Sequence, residues 1–442
     1  MKTKKIHKKT VAVVTLGCKV NQYETASMEN GFTAKGFEII DFSDKADIYV
    51  INTCAVTAKA AAQSRQLIRR AQRTNPDARV VVTGCYAQID PAAVMEAAAG
   101  RIIVFDNVHK HLLVDNILKE GQRKIRFLGD IGKIKKIDFF PVHRFAGRTR
   151  AFLKIQDGCN NFCSYCIVPF ARGRSRSQQP AEVMRQAKKF AVQGYKELVV
   201  TGIHVGAYGR DLEPPVNILG ILEKLTSLTP AIRYRISSLE PTEITDELID
   251  FMAETENLMP HLHIPLQSGD NRILKKMNRR YAAADFENIV AKTLRFLPDI
   301  AIGVDVLVGF PGEDAEAFGN TVQLLQDLPV AYLHVFPYSK RPGTRAAAMP
   351  GQVAKNIKEE RVAFLRELGR QKRRAFHEKH LGGEFRVLAE SRQGGLHIVK
   401  GFTENYIPVL FTGTADDENR IISVKIERVE QDGSVRGKII EK

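Results

Sequence analysis

Cys159-Asn160-Asn161-Phe162-Cys163-Ser164-Tyr165-Cys166 places three thiols within eight residues, spaced C-x3-C-x2-C. The run follows Ala151 to Gln156, an apolar stretch of strand type, so it occupies the loop after a strand. Three thiolates at this spacing suit three irons of a 4Fe–4S cube and leave the fourth iron without a protein ligand. An open iron can chelate a substrate, which a four-cysteine electron-transfer cluster cannot. A zinc knuckle or a purely structural cluster is the competing reading. Zinc normally takes four protein ligands, and no fourth Cys or nearby His completes the set.

Downstream of this loop, strands are predicted over Glu197 to Thr201, Ile232 to Ser237, His261 to Leu266, Ile300 to Val308 and Ala331 to Phe336. Helical patterns such as Ala181 to Val192 and Ala315 to Leu325 lie between them. Six βα units rather than eight predict an open, partial (β/α)6 barrel. Upstream, strands at Val11 to Leu16, Ala46 to Asn52 and Arg79 to Thr83 alternate with helices at Glu24 to Lys35 and Ala58 to Arg73, the pattern of a Rossmann-like parallel sheet. Cys18, Cys54 and Cys85 each fall one to three residues after one of these strands. That edge gathers the βα loops and is where open parallel sheets bind ligands. Three thiols far apart in sequence are therefore predicted to converge.

Arg123 to Arg150 is basic and irregular and reads as an interdomain connection. Ala354 to His380 predicts a charged helix. From Glu384 the pattern changes to five short strands, Phe385 to Ala389, His397 to Gly401, Ile407 to Phe411, Ile421 to Ile426 and Val435 to Ile440. Gly382-Gly383, Gly394-Gly395 and Asp432-Gly433 supply turns, which together predict a small antiparallel β-barrel. The fold class is α/β, with domains over 10–125, 145–375 and 378–442. A chain of 442 residues accommodates about three domains.

Composition bounds the partners. No stretch approaches the ~18 apolar residues of a membrane span; the best, Ile300 to Phe310, is interrupted by Asp305. Lys plus Arg is 66 against 50 for Asp plus Glu, and the resulting +16 favours a polyanion, nucleic acid first. Met1 to Lys9 carries five lysines ahead of an apolar run that superficially resembles a lipoprotein signal. That run is about six residues, short of the ~7–15 of a signal core, so it reads as a buried strand after a basic arm. A cytoplasmic protein with reduced cysteines is the expectation.

With these features in view, the sequence resembles the radical S-adenosylmethionine (SAM) enzymes. In that family the open iron binds SAM, and an electron from the cluster cleaves it to a 5′-deoxyadenosyl radical. Tyr165 matches the aromatic commonly found before the third cysteine. Thr201, Gly202, Ser237, Ser238, Asp305 and Gly309 end later strands, where such barrels bind SAM.

The resemblance narrows to the methylthiotransferases through Thr15-Leu-Gly-Cys18-Lys-Val-Asn-Gln-Tyr-Glu24, Ile51-Asn-Thr-Cys54, Thr83-Gly-Cys85-Tyr86, His261-Leu-His-Ile-Pro-Leu-Gln-Ser-Gly269, Gly309-Phe-Pro-Gly-Glu313 and Val335-Phe-Pro-Tyr-Ser339. It implies that Cys18, Cys54 and Cys85 hold a second 4Fe–4S cluster, that SAM is the cosubstrate, and that a reductase or flavodoxin-type electron donor and a sulfur donor serve the chain. Through Gly401-Phe-Thr-Glu-Asn-Tyr406 the terminal barrel resembles the RNA-binding TRAM module. There Phe402 and Tyr406 either stack on bases or belong to the core. Arg172-Gly-Arg174-Ser-Arg176 either contacts phosphates or is a solvated loop. Leu16-Gly-Cys18-Lys-Val-Asn-Gln and Lys340-Arg-Pro-Gly-Thr344 resemble the branch that methylthiolates C2 of threonylcarbamoyladenosine in tRNA. The alternatives are isopentenyladenosine in tRNA or an aspartate of a ribosomal protein.

Overall fold

Short apolar runs alternating with helices build one parallel sheet from β1 (Thr10–Thr15), β2 (Glu38–Ile40), β3 (Ile48–Thr53), β4 (Arg79–Gly84), β5 (Ile102–Phe105) and β6 (Arg126–Phe127). The strand order is β2-β1-β3-β4-β5-β6. The computed structural model describes residues 8–98, 100, 102–119, 126–138, 140–392 and 397–441. The basic arm up to residue 7, the first residues of the Arg123 to Arg150 segment and the Gly394-Gly395 turn lie outside them. β3 is buried along its whole length, as a strand covered on both faces must be.

Three departures from the sequence expectations matter here. β2, β5 and β6 are additional strands, and β6 lies inside the segment read as a connection. Phe127 of β6 stacks on Phe105 at 4.2 Å, which ties that segment to the sheet. The first helix runs Lys19–Ala34, five residues earlier than expected, with Cys18 at its N-cap. Glu24 therefore sits inside the helix on a buried face.

The six barrel strands form two half-sheets. β7 (Arg150–Lys154), β10 (Glu197–Thr201) and β11 (Arg233–Ile236) make one, after the short pair β8 (Gln156–Asp157) and β9 (Arg176–Ser177) that brackets the cysteine loop. β12 (His261–Gln267), β13 (Ala301–Val308) and β14 (Tyr332–Pro337) make the other. Hydrogen bonds from Tyr234 N to Asn257 O (2.7 Å) and Leu239 N to His263 O (3.0 Å) join them into a partial barrel. Its core includes Phe152, Leu198, Ile236, Leu262, Val304 and Val335.

Helix Lys355–Lys379 leads into a closed barrel of β15 (Glu384–Arg392), β16 (Ile398–Phe402), β17 (Pro408–Thr412), β18 (Ile421–Val429) and β19 (Val435–Glu441). All five expected strands are present, but the barrel is mixed rather than antiparallel. Neighbours around a closed ring alternate in direction only if the strand number is even; with five, one pair must be parallel. That pair is β17 with β19.

Candidate active site

In the N-terminal sheet the order reverses between β1 and β3, the switch point where open α/β sheets bind ligands. Cys18 follows β1 and Cys54 follows β3, so these two flank it, and Cys85 follows β4. Gly17 lets the first two meet: its φ is +101°, and a Cβ there would come within 3.0 Å of Cys54 Sγ. Gly84, at φ +98°, brings β4 against the end of β3 where a Cβ would strike Thr53 O. The convergence expected from the strand ends is thus found. Burial raises the thiol pKa of Cys54 to about 12.

Beneath these cysteines lies a buried ion network that spans two domains. Lys110 Nζ meets Glu24 Oε2 at 2.6 Å, and Lys154 Nζ meets Glu24 Oε1 at 3.1 Å and Asp157 Oδ2 at 2.7 Å. Arg172 Nη1 donates to Glu24 Oε1 (2.5 Å) and Asp157 Oδ2 (3.1 Å), and Arg172 also pairs with Asn21. Arg172 is 1% exposed and Arg176 is buried. The basic run is therefore neither a phosphate contact nor a solvated loop at these two positions. The Arg172 guanidinium is held by the Glu24 and Asp157 carboxylates, and a buried charge costs less paired than alone.

The second triad occupies the loop between β8 and β9. Arg279 Nη1 lies 3.3 Å from Cys163 Sγ, and His204 Nδ1 lies 3.8 Å from Cys159 Sγ. Burial alone would lower the His204 pKa; its partners Cys159 and Glu243 reverse this and lift it to about 10. Burial pushes the Cys166 thiol up to about 12.

All six cysteines are unpaired, so each triad is free to bind a metal group. Each triad has an arginine donating to a sulfur, Arg172 to Cys85 and Arg279 to Cys163.

A cavity of about 960 Å³ opens where the three domains meet. Cys18, Lys19 and Gln22 come from the first domain, and Glu390, Ser391 and Tyr406 from the terminal barrel. Thr201, Gly202, Ser237, Ser238 and Asp305 line its barrel side. Gly309 does not; it lies beyond the end of β13, where a Cβ would strike Lys358. Phe402 and Tyr406 stack on each other at 4.9 Å, with Arg150 over both rings and Arg235 over Tyr406. These aromatics join the terminal barrel to the central one. Arg235 Nη1 also donates to Glu404 O at 2.9 Å.

Residues 153–325 match the radical SAM superfamily, and residues 10–106 match the uncharacterized protein family UPF0004. A threonylcarbamoyladenosine tRNA methylthiotransferase, MtaB, of Bacillus subtilis is 43% identical, over 94% of this chain and 93% of its own length. The chain belongs to the radical SAM methylthiotransferase family. A second member of that family, the tRNA-2-methylthio-N(6)-dimethylallyladenosine synthase of Clostridium novyi, is 32% identical over 99% of this chain and 98% of its own. The methylthiotransferase fold also resembles the radical SAM methyltransferase TsrM of Kitasatospora setae, with a TM-score of 0.56 at 16% identity over 77% of each chain.

Sequence reasoning missed the ion network and the aromatic stack. One signal was available: Lys154 interrupts the apolar run Ala151 to Ile155, and a charge in such a run is buried only when paired.

Proposed function

We propose that this chain is a tRNA-modifying enzyme that methylthiolates C2 of N6-threonylcarbamoyladenosine next to the anticodon. The observation that carries this reading is the shared cavity, where Cys18 of one triad, the barrel strand ends and the terminal RNA-type barrel face one another. The branch is supported by the higher identity to the relative named for threonylcarbamoyladenosine, 43% against 32%. It is supported too by two cations of the cavity wall, Lys19 and Arg148, which form no ion pair among the described residues. Such a wall suits an anionic amino-acid substituent better than a hydrocarbon one.

By this reading Cys159, Cys163 and Cys166 hold the 4Fe–4S cluster that binds SAM, and Cys18, Cys54 and Cys85 hold a second one. When bound, these groups supply one-electron chemistry able to break an unactivated C–H bond and a sulfur to transfer; the protein supplies position and shelter from water. Thr201, Gly202, Ser237 and Ser238 bind SAM along the barrel edge. Asp305, on the same cavity, is engaged by two histidines, and Gly309 follows β13 outside the cavity lining. Among the described residues no helix is long and apolar enough to cross a membrane, which accords with a cytoplasmic enzyme served by a flavodoxin-type reductant and a separate sulfur donor.

Nucleoside mass spectrometry of tRNA from a strain lacking the protein tests the assignment. Threonylcarbamoyladenosine should accumulate without its 2-methylthio group. Loss of methylthiolated isopentenyladenosine instead would move the chain to the other tRNA branch.

A further inference from the structure

The cavity contains polar side chains to which the reading above gives no task. Strand register sets His263 beside Gly303 and Asp305 beside His334, so His261, His263, Asp305, Tyr332 and His334 all line the same cavity. Asp305 Oδ1 is 2.9 Å from His263 Nε2 and 3.5 Å from His334 Nδ1. Burial alone would raise the Asp305 pKa, but these two imidazoles hold it well below the usual carboxylate range. Each imidazole gives one nitrogen to Asp305, and the other has no hydrogen-bond partner among the described residues.

His261 adds an independent sign of a missing ligand. It is 5% exposed; its Nε2 lies 2.7 Å from Tyr332 Oη, and its Nδ1 is buried with no partner. Burial and the nearby Arg235 keep this ring uncharged. A buried polar atom left unpaired costs ~1–3 kcal/mol, which a bound polar group would remove. The cations of the cavity are also unevenly engaged. Arg150 is paired with Glu390 and Arg235 with Glu197, whereas Lys19 and Arg148 form no ion pair among the described residues.

We propose that the imidazoles of His334 and His263 bind the carboxylate at the end of the substrate's N6 substituent, with Asp305 as the residue that positions both rings. The proposal rests on the threonylcarbamoyladenosine reading, because an isopentenyl group has no carboxylate to bind. Asp305 holds one nitrogen of each ring, which leaves the opposite nitrogen of two cavity-lining imidazoles free to donate to an acceptor. Lys19 and Arg148 supply the positive field that favours an anion there. Imidazole N–H bonds to a carboxylate are charge-assisted and stronger than neutral ones. The same three side chains are close enough to hold a cation, their ligand atoms lying within 4.8 Å of one another, and the experiment separates that occupant.

The test uses the full-length, cluster-loaded enzyme and three synthetic anticodon stem-loops. One carries threonylcarbamoyladenosine, the second the same nucleoside with its carboxylate converted to a carboxamide, and the third isopentenyladenosine. Methylthiolation is followed by mass spectrometry, and KM and kcat are obtained separately. Wild type should prefer the carboxylate at least tenfold in kcat/KM, mainly through KM. His334→Phe should erase the preference by slowing only the carboxylate substrate, and His334→Gln, which restores an N–H donor, should recover part of it. Equal use of the first two RNAs by wild type overturns the proposal while leaving the enzyme's assignment intact. So does a preference that survives both His334→Phe and His263→Phe, or one that appears only when a divalent cation is added. Failure on the first two stem-loops, with turnover of the one bearing isopentenyladenosine, defeats the function reading itself.

Discussion

Arg172 Nε lies 3.3 Å from Cys85 Sγ, and the two residues belong to different domains. Arg172 ends the short helix Val168–Arg172, which begins two residues after Cys166. One short helix therefore connects the cysteine loop of the barrel to the cysteines of the N-terminal sheet. The charges gathered around it, Lys110, Lys154 and Arg172 against Glu24 and Asp157, leave one positive charge in excess. That excess faces Cys85, where an anionic cluster would balance it.

Removing Arg172 should therefore be costly to the fold. Arg172→Met leaves Glu24 and Asp157 short of a buried partner, and breaking such a network costs about 3–5 kcal/mol. Denaturant unfolding of the variant measures it; a loss below about 1 kcal/mol would contradict the network's structural role.

The same network sets an acid limit. Burial alone would raise the pKa of Glu24 and Asp157. Arg172, Lys110 and Lys154 instead hold Glu24 well below the usual range, and Lys154, Arg172 and Arg176 hold Asp157 at about 2. Both carboxylates bind protons more weakly folded than unfolded, so their stabilisation is complete above the unfolded values near 4. It should be lost as pH falls from about 5 toward 2. Acid unfolding followed by circular dichroism should show this limb, and Asp157→Asn should flatten it.

Gly303 packs against Tyr332, whose Cζ lies 2.2 Å from where a Cβ at Gly303 would be. Gly303→Ala should force Tyr332 away from His261 and destabilise by about 1–3 kcal/mol, the usual cost of overpacking. Thermal unfolding of Gly303→Ala measures it, and a melting temperature at or above that of wild type would contradict the close approach.

The parts of this molecule that could be read from sequence are those with a period or a spacing. Strands such as Glu197–Thr201 and the helix Ala58–Thr74 carry strong local patterns, and the cysteines follow strands closely enough to be placed at one sheet edge. β2 and β6 are three and two residues long and carry no pattern to detect. The ion network was hidden for another reason. Its members lie up to 148 residues apart, and a lone charge in sequence reads as solvent-facing until the partner that buries it is known.

The function proposed above gives the two cysteine triads different tasks, and of their six cysteines Cys18 lines the shared cavity. Replacing each cysteine triad by Ala separates them, with anaerobic assays of 5′-deoxyadenosine and of methylthiolated tRNA on folded protein. Loss of Cys159, Cys163 and Cys166 should abolish both products. Loss of Cys18, Cys54 and Cys85 should halve the iron from about eight per chain to about four, leave SAM cleavage to 5′-deoxyadenosine, and abolish methylthio transfer. An N-terminal triple variant that still methylthiolates tRNA over several turnovers would contradict the account.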